Sequence, residues 1–419
     1  MTNHPLKTLI ADYSLLNELA ENFGTPLYVY SSERLSTNLN RLNQALADNF
    51  DRYHICYAVK ANSNPHLLKL LHRTLPAIGS DCASPGEIYA ARLAGIDPAH
   101  SIYTGNYESN EDLKYALENG ISINLDDSTS LARLARIGLP GRISFRLNPG
   151  FGRGMFPHIT TGGEKAKFGV PRDKIAAVYQ QAVEMGIHRF GLQCMTGSGV
   201  LDPDYFTELL TAILEAAREV EAVTGKTMEY ISIGGGIGIP YRDEESPIPI
   251  DQLMSSLAKI FFSYYNRNDD NCPALWLEPG KYIIGDAGFI LSRVTGLKNS
   301  YRKFVGLDAG METILRPSLY SAYHRFLKVG YPDDEPAGKV DFTGRICENT
   351  DRQAIDRPFP AVEEGDLVAI MDAGAYGFAM ASQYNSRPRP AEILLTNGQA
   401  KVIRRREDLA DIYRNCDLE

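Results

Sequence analysis

From about residue 50 the chain alternates short apolar runs with longer segments whose apolar positions recur every three or four residues. The runs are "HICYAV" (54–59), "AIGSD" (77–81), "SIYTG" (101–105), "ISINL" (121–125), "RISFRL" (142–147), "FGLQCM" (190–195), "YISIGG" (230–235) and "ALWLEP" (274–279). Between them lie "NPHLLKLLHR", "SPGEIYAARLAG", "NEDLKYALENG", "DKIAAVYQQAVEMG" and "DYFTELLTAILEAAREVEAVTG". Several open on Asn-Pro, Ser-Pro or Asp-Pro and close on Gly, which are start and stop signals of helices. Apolar runs separated by amphipathic helices predict parallel strands. Eight such runs fit a closed (β/α)8 barrel, a fold of ~250 residues, better than an open doubly wound sheet.

After Gly280 the rhythm changes. Stretches such as "AGFILSRVTGLKNS", "RKFVGLDAG", "KVDFTGRIC", "GDLVAIMD", "AEILLTNG" and "KVIRRRE" read as strands bounded by Gly, Asp and Asn, with no long helix between them. The segment "TPLYVYSSERL" (25–35) is also strand-like and is expected to pair with this C-terminal sheet. The predicted fold class is α/β plus all-β. Residues 36–282 form a TIM-like barrel, and residues 1–35 with 283–419 form a β-sandwich or β-barrel domain. The longest strandless stretch, "NPGFGRGMFPHITTGGEKAKFGV" (148–170), follows the fifth run. Loops of that length inside compact domains are usually functional.

The 419 residues exceed one ordinary core, in keeping with two domains. A hydrophobic share of 44% and a charged share of 23% are those of a globular protein. The net charge of −9 argues against a nucleic-acid surface. "IRRRED" is basic but is followed at once by acids, and reads as a solvated strand end. The six cysteines are scattered, with no CxxC and no histidine spacing for a zinc site, so no metal is expected. Cys56, Cys82 and Cys194 fall in apolar runs and read as small core residues. No signal peptide is recognised in "MTNHPLKTLIADYSLL", and no uncharged run approaches the ~18 residues that span a bilayer. A cytoplasmic protein, away from membranes, is the expectation.

The candidate chemistry gathers where the runs end, the face on which such barrels carry their catalytic groups. Lys60 of "YAVKAN" follows the first run, Asp81 ends the second, Arg146 and Asn148 close the fifth, and Ser198 follows the sixth. "GGGIG" (234–238) follows the seventh and "EPGK" (278–281) the eighth. A lysine brought to the end of a buried strand loses hydration, and a nucleophilic amine is one return on that cost. Six residues alone leave open a snorkelling lysine instead. "GGGIG" is no dinucleotide fingerprint, because Pro240-Tyr241 stand where the helix should begin. Bare N–H groups after the last two strands of a barrel make a phosphate site. One phosphate site, one strand-end lysine and one buried carboxylate, Glu278, form the set that pyridoxal 5'-phosphate needs.

In this order the motifs "YAVKAN", "GSDCASPGEI", "FRLNPGFG" with "TGGEKAKFG", "GSGV", "GGGIGIPY", "EPGK", "ILRPSLYSAYH", "CENTD" and "DAGAYGFAMASQYNSRPRPAEIL" resemble the alanine-racemase-type (fold III) pyridoxal-phosphate decarboxylases. Within them the chain is similar to the diaminopimelate decarboxylase family, over nearly its whole length. The resemblance implies a homodimer with shared active sites and an amino-acid substrate, meso-2,6-diaminopimelate, converted to L-lysine and CO2. It implies that Lys60 is the Schiff-base lysine, that Asp81 belongs to the cofactor-binding residues, and that Glu278 pairs with the ring nitrogen. It further implies that Ser198, Gly235, Gly236 and the backbone after Glu278, including Gly280, hold the phosphate with Tyr376. Cys347 and Glu348 would come from the partner chain, the first for proton chemistry and the second for the far amino group. Arg316, Tyr320 and Lys281 would face the distal carboxylate.

Two departures from the family pattern stand out. Gln193-Cys194-Met195 replaces a "H-x-H" whose second histidine stacks on the cofactor, and Lys281 replaces an arginine. Sulfur–aromatic contact lets Met195 stand in for the ring, whereas lysine lacks the planar fork of arginine. The alternative they raise is a specialised decarboxylase of the same family acting on another basic amino acid. A racemase of this fold is disfavoured because "CENTD" and "RPSLY" have no role in one. A non-catalytic cofactor-binding protein is disfavoured because such proteins usually lack the second domain.

Overall fold

The computed structural model describes residues 4–417. By compactness the chain falls into two units. One holds Asn38–Ile239 and Pro247–Tyr282, the other the chain up to Thr37, Pro240–Ser246 and everything from Ile283. The first strand, β1 (Leu27–Ser31), belongs to the second unit.

The barrel unit follows the alternation read from the sequence. Its strands are β2 (Tyr53–Ala58), β3 (Gly79–Cys82), β4 (Ile102–Tyr103), β5 (Ser122–Leu125), β6 (Ile143–Asn148), β8 (Phe190–Cys194), β9 (Met228–Ser232) and β10 (Ala274–Leu277), with a short β7 (Val170–Pro171) appended to β6. All pair in parallel, and the β5–β6 pairing closes the ring. Helices cross over between them and start where the polar caps predict. Asn64 accepts from the His66 N–H, Ser84 from Glu87 and Asp202 from Asp204, each with Pro at the first turn. The longest, Pro203–Thr224, stops at Gly225 in the left-handed region (φ 66). Within the barrel Tyr230 stacks on Trp276 at 4.0 Å, clustered with Cys56 and Ile102. Alternation along a strand puts Ser232 on the face of Tyr230, and Glu278 on that of Trp276. An aromatic layer thus underlies a polar one.

In the β-rich unit β1 lies between β11 (Gly288–Asn299), antiparallel, and β17 (Ala391–Thr396), parallel. The expected pairing of the N-terminal strand with the C-terminal sheet is therefore present. The remaining strands are β12 (Lys303–Leu307), β13 (Phe326–Lys328), β14 (Gly338–Thr343), β15 (Arg352–Phe359), β16 (Leu367–Ile370) and β18 (Gln399–Arg404). β11 carries a bulge between Val294 and Gly296. Before it the strand pairs with β1 and β16, and after it mostly with β12. Leu27, Val29, Phe289, Leu291, Leu367, Ala369, Ile393 and Leu395 build the core, together with Leu16 and Leu19 of the helix Tyr13–Phe23.

Three features differ from the pattern reading. The 25–35 strand stops at Ser31, because the Ser31 hydroxyl accepts from the Arg34 N–H and opens the helix Ser32–Ala47. β13 was too short to read. β15 ("RQAIDRPF") carries charge and Pro358, tolerated because it is the edge of its sheet. Arg404, Arg405 and Arg406 of the basic stretch are bonded to Glu392, Asp411 and the carbonyls of Phe23 and Pro26. Among the described residues no helix is long and apolar enough to cross a membrane.

Candidate active site

Lys60 stands in the 3-10 turn Val59–Ala61 directly after β2. The β2–β3 register pairs Ala58 with Asp81, so the lysine emerges beside that carboxylate. Its Nζ donates to Asp81 Oδ2 at 2.5 Å. The Asp81 side chain is buried, and its Oδ1 has no hydrogen-bond partner among the described residues. Gly280 lets the turn after β10 close on the same spot. A Cβ there would come within 2.8 Å of the Ala61 Cβ and 3.2 Å of the Ala58 Cβ.

Glu278 follows β10 and is buried. Its Oε1 accepts from Ser232 Oγ at 2.6 Å, and its Oε2 from Gln193 Nε2 at 2.8 Å. Burial first, then the nearby Asp81 charge, push its carboxyl above the ordinary glutamate range, while the Ser232 and Gln193 donors and Lys60 pull it down. Arg146, at the end of β6, donates to the Met195 carbonyl at 2.6 Å and pairs with Asp126 at 3.4 Å.

Two glycine-containing turns lie side by side after β8 and β9. Val200 bridges to Ile237, with Val200 N–H on the Gly236 carbonyl and Gly238 N–H on that of Val200. The turns need glycine for two reasons. Gly199, Gly234 and Gly236 are left-handed (φ 78, 68 and 94), and a Cβ on Gly235 would meet the Glu278 carbonyl oxygen at 2.3 Å. The N–H groups of Ser198, Gly199 and Gly236 donate to nothing among the described residues. The Gly235 N–H reaches only the Met195 thioether, at 3.3 Å. Lys281 is buried, and its Nζ would stand 3.0 Å from a Cβ on Gly199.

The 148–170 stretch is built onto these turns. Asn148 holds it by accepting from the N–H groups of Gly150 and Gly163 and donating to the carbonyls of Gly163 and Phe168. Met155 N–H then bonds the Ser198 carbonyl and Thr161 N–H that of Thr196.

The other singled-out residues lie in the β-rich unit. Arg316 opens the short helix Arg316–Tyr320 and is buried. Its hydrogen-bond partners are uncharged groups: Nη1 meets Tyr241 Oη and His324 Nε2, both at 3.0 Å. His324 Nδ1 is on the Met371 carbonyl, so the ring donates there and accepts from Arg316. Tyr320 is half-buried. Ser318 ties the helix to the Thr350 carbonyl of the turn that carries Cys347 and Glu348. Both of these are exposed; Cys347 bonds Asn385 and Glu348 bonds the Tyr384 hydroxyl. Tyr376 is half-buried with a left-handed backbone (φ 57).

The barrel unit thus brings together Lys60, Asp81, Met195, Ser198, Gly235, Gly236, Glu278, Gly280 and Lys281 at its strand ends. Pattern reading missed Ser232, Tyr241 and His324 as partners of charged residues. Ser232 was findable as the one polar residue inside "YISI", two before the glycines.

The profile of the pyridoxal binding domain of pyridoxal-dependent decarboxylases matches residues 36–285. The diaminopimelate decarboxylase of Methanothermobacter thermautotrophicus is 44% identical over 402 residues, 96% of this chain and 94% of that one. The crystal structure of diaminopimelate decarboxylase from Helicobacter pylori complexed with L-lysine is 32% identical, with a TM-score of 0.86, covering 95% of this chain and 98% of that one. That of diaminopimelate decarboxylase from M. jannaschii is 31% identical with a TM-score of 0.87, covering 96% and 94%. With that identity over nearly its whole length and the profile match over residues 36–285, the chain belongs to the diaminopimelate decarboxylases, within the pyridoxal-dependent decarboxylases.

Proposed function

We propose that this chain decarboxylates meso-2,6-diaminopimelate to L-lysine and CO2 with pyridoxal 5'-phosphate as cofactor. The residues fit that cofactor on three observations. Lys60 has an amine at a strand end and, among the described residues, Asp81 has a buried oxygen without a partner and the turns at Ser198–Gly199 and Gly236 have unbonded N–H groups. When bound, pyridoxal phosphate supplies an electron sink for the pair left at Cα as CO2 departs. In this reading Lys60 carries the cofactor and Asp81 orients the amine. Ser198, Gly235, Gly236, the Gly280 turn and Tyr376 hold the phosphate. Met195 packs on the ring, and Glu278 keeps a proton on the ring nitrogen. Lys281 brings its charge to the Gly199 turn, which leaves the distal carboxylate to Arg316 and Tyr320. Cys347 handles the proton at Cα and Glu348 the far amino group, both given by one subunit to its partner in a cytoplasmic homodimer. Their exposure in the single chain supports that sharing.

The observation that carries the substrate is Arg316, a buried guanidinium whose partners are all neutral. A buried charge calls for a counter-charge. Diaminopimelate has a second carboxylate to offer, whereas lysine, ornithine and arginine do not. A CO2-release assay over these four amino acids should therefore give turnover with diaminopimelate alone. Arg316→Ala should lower its kcat/KM by roughly 2–4 kcal/mol, the size of leaving a buried charge partner unpaired. Turnover of lysine or ornithine in preference to diaminopimelate would sink the proposal and favour the specialised decarboxylase.

A further inference from the structure

Gln193 is fully inside the barrel, on β8, where the family places a histidine. The structure gives its side chain one task. Nε2 donates to Glu278 Oε2 at 2.8 Å, while its Oε1 is buried and unbonded among the described residues. Ser232 donates to the other oxygen of the same carboxylate at 2.6 Å. We infer that Gln193 is a positioning residue that, with Ser232, fixes Glu278 as a carboxylate with both oxygens occupied and its plane set. The inference rests on the pyridoxal-phosphate reading above, in which Glu278 faces the ring nitrogen.

The physical case is one of opposing effects. A carboxylate in this enclosure would take up a proton to escape desolvation, and a protonated Glu278 would have no charge with which to hold a proton on the ring. Two donors oppose that preference, because hydrogen bonds to the charged form favour it and draw the carboxyl back toward the ionised state. An amide suits the task. Its N–H has no accessible pKa, so the donor persists at every working pH, where a histidine would change charge. Its polarity is also self-enforcing: turned over, it would set Oε1 against an ionised Oε2. The charged groups acting on Glu278 are Asp81, Lys60 and Arg146, and around it Cys56, Cys194 and Tyr230 are kept neutral by burial.

The test uses the full chain reconstituted with pyridoxal phosphate, comparing wild type with Gln193→Leu, which keeps the bulk and removes the donor, and with Gln193→His. Three readouts are taken: the pH dependence of the cofactor's visible absorption, the cofactor dissociation constant, and kcat against KM for diaminopimelate. Loss of the donor should move the pH midpoint of the visible band and lower kcat about ten- to a hundredfold, the size of a lost hydrogen bond to a buried charge. KM should change by no more than about twofold, since substrate is not touched. Gln193→His should recover the band and much of the rate at alkaline pH, where its ring is neutral and can still donate. Wild-type spectrum and kcat in the leucine variant would overturn the inference. Should that variant fail to fold, Gln193→Met is read in the same way. A wild-type chain that takes up no cofactor would overturn the reading beneath it, whereas equal uptake with unaltered spectra would overturn only the role of Gln193.

Discussion

Lys60 and Glu278 reach the same barrel face by opposite routes. The lysine is half-exposed and leans on one buried carboxylate, whereas Glu278 is wholly enclosed and leans on two neutral donors. Borohydride reduction of the loaded protein should fix the cofactor to a single peptide containing Lys60, and Lys60→Ala should abolish it. Label on any other lysine would refute the assignment. For Glu278 the consequence concerns stability without cofactor. Its carboxyl is held above the ordinary range chiefly by burial. Between the unfolded value of ~4.3 and the raised folded value the native state therefore binds the extra proton, so this group lowers stability as pH rises through that window. The cofactor-free Glu278→Gln variant should melt above wild type at pH near 8, and the gap should close toward pH near 5. Parallel melting curves at both pH values would show that the carboxylate costs nothing.

Elements convert those residues into a site by setting backbone against backbone. The turn after β8 touches the 148–170 stretch so closely that a Cβ on Gly197 would meet the Arg153 carbonyl oxygen at 1.5 Å. Gly197→Ala should push the stretch away, cost roughly 1–3 kcal/mol as overpacking does, and speed tryptic cleavage at Arg153, Lys165 or Lys167. Unchanged cleavage would mean that the stretch does not depend on that contact. Much of this level was legible beforehand. The barrel strands, their caps and the functional ends follow from period, Pro-led helix starts and the strand-end rule. What escaped was of two kinds. β13 and β15 are short or charged edge pieces whose form is imposed by neighbours, and Tyr241 and His324 acquire their partner, Arg316, from distant sequence. Period and composition report a residue's own face, not who arrives opposite it.

At the scale of the molecule, the exposure of Cys347 and Glu348 gives the proposed subunit sharing a direct test. Lys60→Ala and Cys347→Ala homodimers should each be nearly inactive. Mixed and allowed to exchange, they should regain up to about a quarter of wild-type activity, because half the random dimers are mixed and each has one intact site. No recovery after verified exchange would place both residues in service of one chain.

The position of β1 has a consequence in time. Its strand neighbours are Gly288–Leu291 on one side and Ala391–Leu395 on the other. On a ribosome adding about 5–20 residues per second, an apolar "LYVYS" waits roughly 20–70 seconds between its own emergence and that of the strand its register requires at Ala391. Throughout that interval the edge that β17 will cover is open to any other nascent chain. A version ended by a stop codon just before Ala391 should collect in inclusion bodies, while the whole gene yields protein in the supernatant.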